Sequence, residues 1–236
     1  MKYRVNWIDL NYDGAFRVPL FAISLAPLNF AESLSTRLRS VTTIAARDMT
    51  ITGQSEIDVR VKANVFNGSA NFEIGPDSFS MSFRNPRGDA INVIKQFVEV
   101  FSSFLDEYAH GPLPKDETVT FRAFIELAGE NSFGRAYLRS ICDNSSIYQP
   151  SSVADGSILS PGIRFDLEDA KHNWTFSFEL SRAVRNAKEL FVLATAQYRS
   201  ESPFSNSESK ANHLDRLIEE SMNRVGLKPE NNLDAQ

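Results

Sequence analysis

From residue 57 to residue 84 the chain alternates apolar and polar side chains, interrupted by two turn signals, and that pattern leaves few folds open. Ile57, Val59, Val61, Ala63 and Val65 alternate with Asp58, Arg60, Lys62 and Asn64, the period-two signature of a strand with one buried face. Asn67-Gly68 follows, a hairpin signal because both residues tolerate positive φ. Phe72 and Ile74 flank Glu73, Gly75-Pro76-Asp77 breaks the run, and Phe79, Met81 and Phe83 then alternate with Ser80 and Ser82. These segments predict an antiparallel meander with one face needing cover. Residues 42–52 supply a further strand before it.

The cover is predicted from helices on either side. Residues 88–108 read as a long helix, with Asp89 accepting from the free amides of the first turn and Gly111-Pro112 ending it. Two apolar stripes run along it. One is Ile91, Ile94, Val98, Phe101 and Leu105, and the other is Val93, Phe97, Val100 and Phe104. A helix lying on a sheet needs one apolar arc, so this one is wide enough to touch two things: the second half of the chain, or another chain. Residues 29–41 form a shorter helix with Phe30, Leu34, Leu38 and Val41 on one face. Residues 16–25 read as a strand, which Pro19 confines to an edge or an end.

The second half repeats this order: a strand over 118–127, a helix over 130–142 weakened by Gly134, and a hairpin of 162–169 with 173–180. Ile163, Phe165 and Leu167 share a face with Trp174, Phe176, Phe178 and Leu180. A third strand and a closing helix follow, the latter with Leu214, Leu217, Ile218, Met222 and Val225 as its stripe. Residues 145–162 read as a loop with room for one short strand. The predicted fold is therefore α+β, two tandem β-α-β(3–4)-α units whose antiparallel meander sheets are covered by helices. The units span 1–112 and 113–228, and 229–236 is a flexible tail.

Net charge is −5 and the pI about 5.3, which argues against nucleic acid, whose binders carry a positive field. The outward strand residues agree. Asp58, Arg60, Lys62, Glu73 and Arg84 sum to +1 in the first meander, and Arg164, Asp166, Glu168 and Glu179 to −2 in the second. Base stacking would need exposed aromatics, and Phe66 is the one candidate. The single cysteine, Cys142, permits no intrachain disulfide and reads as a buried structural thiol. No apolar run is long enough to span a bilayer, and MKYRVNWIDL carries charges where a signal peptide would be apolar. The expectation is a cytoplasmic protein.

Catalytic patterns are sparse. Neither G-x-x-x-x-G-K-[ST] nor G-x-G-x-x-G occurs. His110, His172 and His213 stand singly, without metal-ligand spacing, and read as surface or capping residues. Asp155 with Glu168-Asp169-Ala170-Lys171 is the best nuclease-like fragment, since carboxylates and a lysine can hold a divalent cation and polarise water. Asp169 and Lys171 also fall where a hairpin turn is predicted, and turn chemistry accounts for them there.

The element order resembles the architecture shared by TATA-box-binding proteins and the helix-grip ligand carriers, taken twice. FEIGPDSFSMSFRNPRGDAINVIKQFVEVF, IRFDLEDAKHNWTFSFEL and LDRLIEESMNRVG resemble a sporadically distributed group of uncharacterised bacterial proteins. That resemblance implies a bacterial cytoplasmic protein from an accessory locus such as phage defence, and no reaction. The expected function is a non-enzymatic interaction or assembly module, bound to itself as a homo-oligomer or to a protein partner, with no membrane contact, cofactor or metal. Its contact would be Ile91, Ile94, Phe97, Val100, Phe101 and Phe104. The alternatives are a divalent-metal nuclease or hydrolase using Asp155, Asp169 and Lys171, and a carrier of an apolar ligand held between helix and sheet.

Overall fold

The computed structural model describes residues 1–53, 55, 58–86, 90–108, 114–129, 134–143, 162–183, 187–199, 202 and 207–230. It is a mixed α/β fold built on one large antiparallel sheet. The strands are β1 (Lys2–Phe16), β2 (Met49–Thr52), β3 (Arg60–Val65), β4 (Ala70–Ile74), β5 (Ser78–Arg84), β6 (Pro114–Leu127), β7 (Ile163–Asp169), β8 (Trp174–Arg182), β9 (Glu189–Arg199) and β10 (Lys228–Pro229). Their order is β2-β3-β4-β5-β1-β6-β9-β8-β7, with β10 added in parallel to the start of β1. The helices are α1 (Phe21–Leu25), α2 (Pro27–Leu38), α3 (Ala90–Tyr108), α4 (Gly134–Asp143) and α5 (Ser207–Arg224).

The predicted meander has the expected register: Val65 faces Ala70 and Ile74 faces Phe79. Asn67 and Gly68 take positive φ in the first turn, as their type allows. The second hairpin pairs Ile163 with Leu180, Phe165 with Phe178 and Leu167 with Phe176. The two meanders are not separate sheets. β1 and β6 pair antiparallel along most of their lengths, from Tyr3–Leu127 to Phe16–Pro114, and make one continuous sheet.

Central strand β1 escaped the sequence reading, and its register explains why. Tyr3 and Val5 face the same side as Ile125 and Leu127, but a bulge between Val5 and Trp7 shifts the parity. Beyond it Ile8, Leu10 and Tyr12 take over that face. A bulge inserts one residue and breaks the alternation that betrays a strand. The strand expected over residues 16–25 is instead the end of β1, a turn at Pro19 and the short helix α1. Leu20 and Ile23, three apart, turn inward there, Pro27 opens α2 at its first turn, and a proline suits that position because it has no N–H to leave unpaired.

One face of the sheet carries the core. Val61, Phe72, Met81, Phe83, Ile125, Phe178, Val192 and Ala194 are buried, and their neighbours along each strand are exposed or half-exposed. α3 packs beside α2 and α5, which accounts for its two stripes. Phe97 and Phe101 sit among Phe72, Phe79 and Phe83 of the sheet, with ring centroids 5.5–6.1 Å apart, and Phe104 meets Phe30 of α2 at 5.4 Å. Ile94, Val98 and Leu105 are buried as well. Of the helix expected over 130–142, residues 130–133 lie outside the described residues and α4 spans Gly134–Asp143. A Cβ at Gly134 would stand 2.8 Å from the Leu190 side chain, so the glycine permits the close approach of the helix to β9. The tail is partly paired: Lys228 and Pro229 bridge to Lys2 and Tyr3, and the Glu230 amide donates to the Tyr3 carbonyl at 2.7 Å.

Candidate functional site

The residues expected to meet a partner are committed elsewhere. Ile94, Phe97, Phe101 and Phe104 are buried in their own chain, Val100 is half-buried, and the Ile91 side chain lies outside the described residues. Phe66, the candidate for base stacking, instead lies edge-on to Phe97 at 5.6 Å. Two of the three outward cations of the first meander, Arg60 and Lys62, are paired on the sheet. Arg60 reaches Asp77 at 3.2 Å and Glu73 at 3.6 Å, and Lys62 reaches Glu73 at 2.9 Å. Asp58 sits in the turn before β3, accepting from the Ser55 amide and hydroxyl.

The nuclease-like fragment comes together only in part. Asp155 and His110 lie outside the described residues, and so does the side chain of Cys142, in the last turn of α4. The Asp169 carboxylate closes the β7–β8 turn. It accepts from the His172 amide at 3.1 Å and sits 2.7 Å from His172 Nδ1. The bond from His172 holds the Asp169 carboxyl below its ordinary range. Lys171 is exposed in the same turn. Among the described residues no group of three or more His, Cys, Asp or Glu is placed to hold a metal ion, and no helix is long and apolar enough to cross a membrane.

The densest polar chemistry was not legible in the sequence. Glu117 on β6 is buried, and its carboxylate accepts from the Tyr12 hydroxyl of β1 and from the Lys210 ammonium of α5. The Tyr198 hydroxyl on β9 donates to the Lys210 carbonyl at 3.0 Å, leaving its oxygen to accept from His213 Nδ1 at 3.2 Å. His213 also packs edge-on to Trp174, with centroids 4.7 Å apart. The expected surface or capping role of His213 is therefore wrong, since the ring is buried between α5 and β8–β9. This cluster fastens the start of α5 to the sheet. Each member is at least 90% covered except Trp174, so a substrate would have to open the fold to reach it.

Burial, with Arg216 nearby, lowers the His213 pKa to about 4, against the smaller opposing pull of Glu220 and Asp169. Its ordinary value in an unfolded chain is about 6.5. The unfolded chain therefore takes up a proton on His213 in a pH range where the folded chain does not. Stability from this residue is full above about pH 6.5 and is lost as pH falls towards 4. Urea unfolding at pH 7.5 and pH 5 is expected to show a lower midpoint at pH 5. His213→Asn, which keeps a donor near the Nδ1 position, is expected to flatten that difference; an unchanged difference would remove His213 as its source.

A cavity of about 60 Å³ lies between α3, α5 and the central strands, lined by Leu10, Tyr12, Ile94, Val98, Val119 and Ala211 together with Lys95 and Glu99. Small-molecule pockets begin at about 300 Å³, so this cavity is too small for an apolar ligand. On the opposite sheet face Trp7, Phe124 and Phe191 form a row, with centroids 5.6 and 5.3 Å apart. Beside it Asn6 bridges Glu126 at 3.2 Å and Glu189 at 2.9 Å.

Trp7, Phe124 and Phe191 are half-buried, and the most exposed large apolar side chains lie in neither place. Val18 is 56% exposed, Phe21 58%, Leu25 75% and Leu28 69%. Among the described residues, the next most exposed large apolar side chains are Met1 and Val5, both less exposed than these four. Phe21 and Leu25 stand one helical turn apart on α1, and Leu28 follows in the first turn of α2. Leu20 and Ile23, on the other side of α1, are buried, and the Leu20 amide donates to the Pro76 carbonyl at 2.7 Å. The inner side thus fixes the ridge to the β4–β5 turn and turns its outer side to solvent. The available sequence signal was charge: from residue 14 to residue 31 the only charged side chain is Arg17. No protein-family model and no curated protein sequence matches this chain.

Proposed function

We propose that this chain is a non-enzymatic interaction and assembly module that docks protein through the α1–α2 ridge. The observation that carries the reading is the gathering of Val18, Phe21, Leu25 and Leu28, each more than half exposed, in one short segment. Monomeric proteins seldom show water a concentrated apolar surface, and where one exists it usually marks an interface. The wide face of α3 supports the same reading by its use: its large side chains fill the core and leave the ridge as the surface that needs a partner. The strand order supports a finer description. From each edge to the centre, β2-β3-β4-β5-β1 and β7-β8-β9-β6 follow a corresponding order, as two similarly built units joined through β1 and β6 would. In this reading the sheet is a scaffold and the ridge its contact.

A photoreactive phenylalanine analogue placed at Leu25 is expected to give one discrete crosslinked protein adduct in cells. The same analogue at Gln197, exposed on β9, gives none. Adding Leu28→Glu is expected to abolish the Leu25 adduct. A discrete adduct from Gln197 and none from Leu25, or a Leu25 adduct indifferent to Leu28→Glu, would refute the ridge as the docking surface.

A further inference from the structure

We infer that the occupant of the α1–α2 ridge is a second copy of this chain, docked antiparallel about a two-fold axis; this rests on the reading of the ridge as an interface. The ridge ends in opposite charges. Arg17 precedes Val18 and Glu32 stands one helical turn beyond Leu28, both exposed. In a two-fold contact residue i meets j and j meets i, so a strip positive at one end and negative at the other complements itself. The pairs Arg17–Glu32 and Phe21–Leu28 share one midpoint in the sequence, between Ser24 and Leu25. Antiparallel docking about an axis near Leu25 sets each Phe21 towards the partner's Leu28 and each Arg17 towards the partner's Glu32, with the two Leu25 side chains near the axis. Arg17 already has an interaction within its own chain, but a guanidinium has five N–H donors and can serve a partner's carboxylate as well.

The charge distribution favours this occupant. The chain carries a net charge of −5, yet no acidic residue falls between Asp13 and Glu32, so two copies can meet here without the like-charge repulsion they would encounter elsewhere. A membrane surface suits the strip less well. Helices that lie in the lipid interface present a polar face rich in Lys and Arg, and this segment has Arg17 alone.

Sedimentation equilibrium of the full purified chain, over about 1–100 μM as suits a contact of modest size, tests the inference. The wild type is expected to dimerise, and Leu25→Glu, which places two carboxylates at the axis, to weaken the dimer by about a hundredfold or more. Arg17→Glu and Glu32→Arg are each expected to weaken it by about tenfold, and the combined Arg17→Glu/Glu32→Arg variant to recover most of the loss, because each swapped pair re-forms across the axis. Leu25 is 75% exposed, and circular dichroism is expected to find all variants folded. A monomer throughout the range, a dimer indifferent to Leu25→Glu, or a double variant weaker than either single one would overturn the inference. If the purified chain is monomeric while the Leu25 crosslinker captures a different protein, the second copy is overturned and the ridge as an interface stands.

Discussion

Replacing Phe101 by alanine is expected to lower the unfolding free energy by about 3–5 kcal/mol and the thermal midpoint by about 10 °C or more. Phe101 is fully buried. Its ring lies 5.5 Å from Phe79, 6.0 Å from Phe72 and 6.4 Å from Phe97, the last nearly parallel. Those neighbours come from β4, β5 and the helix itself, so they cannot all close on the space an alanine leaves. The cost then includes the cavity as well as the lost transfer of the ring. Folded domains of this kind have only about 5–15 kcal/mol in hand, so the variant forfeits a large share. Urea denaturation with a tryptophan fluorescence readout measures it. A loss below about 1 kcal/mol, the level of a surface substitution, would show that α3 does not seat its aromatic stripe on the sheet.

Lys210→Met is expected to cost a similar amount, about 3–5 kcal/mol, by stranding the Glu117 carboxylate in the interior. Lys210 and Glu117 are only 6% and 7% exposed, so water cannot take over the role of the lost ammonium. The Tyr12 hydroxyl would remain as a donor to Glu117, one neutral hydrogen bond in place of an ion pair. The partner change decides the interpretation. With Glu117→Gln added, no charge is left unpaired, and the double variant is expected to recover most of the stability, as buried pairs replaced together often do. If Lys210→Met alone is harmless, Glu117 is not held by α5 and the cluster around Tyr198 and His213 does not fasten that helix.

The parts legible in the sequence are those where one short-range rule decides. Strands β3, β4 and β5 and the β7–β8 hairpin follow from unbroken alternation closed by turn residues. The helix spanning Ala90–Tyr108 follows from its spacing. β1 was lost because its bulge switches which residues face the core, and α1 because five residues beside Pro19 carry no period of their own. Joining the meanders into one sheet depends on β1 meeting β6, a pairing between segments about half the chain apart. The candidate site was hidden for two reasons. Phe21, Leu25 and Leu28 are the same residue types as buried Phe30, Leu20 and Leu34, and only packing tells which of them face water. Glu117 and Lys210 are 93 positions apart, with nothing local to announce that they meet.

The central claim is that this chain turns its apolar surface outward at α1–α2 and keeps the face of α3 inside. Carbene footprinting with mass spectrometry, at a concentration low enough to dissociate any assembly, reads both at once. Heavy labelling is predicted on Phe21, Leu25 and Leu28, with Phe97, Phe101 and Phe104 protected. Labelled α3 aromatics beside a protected ridge would contradict it.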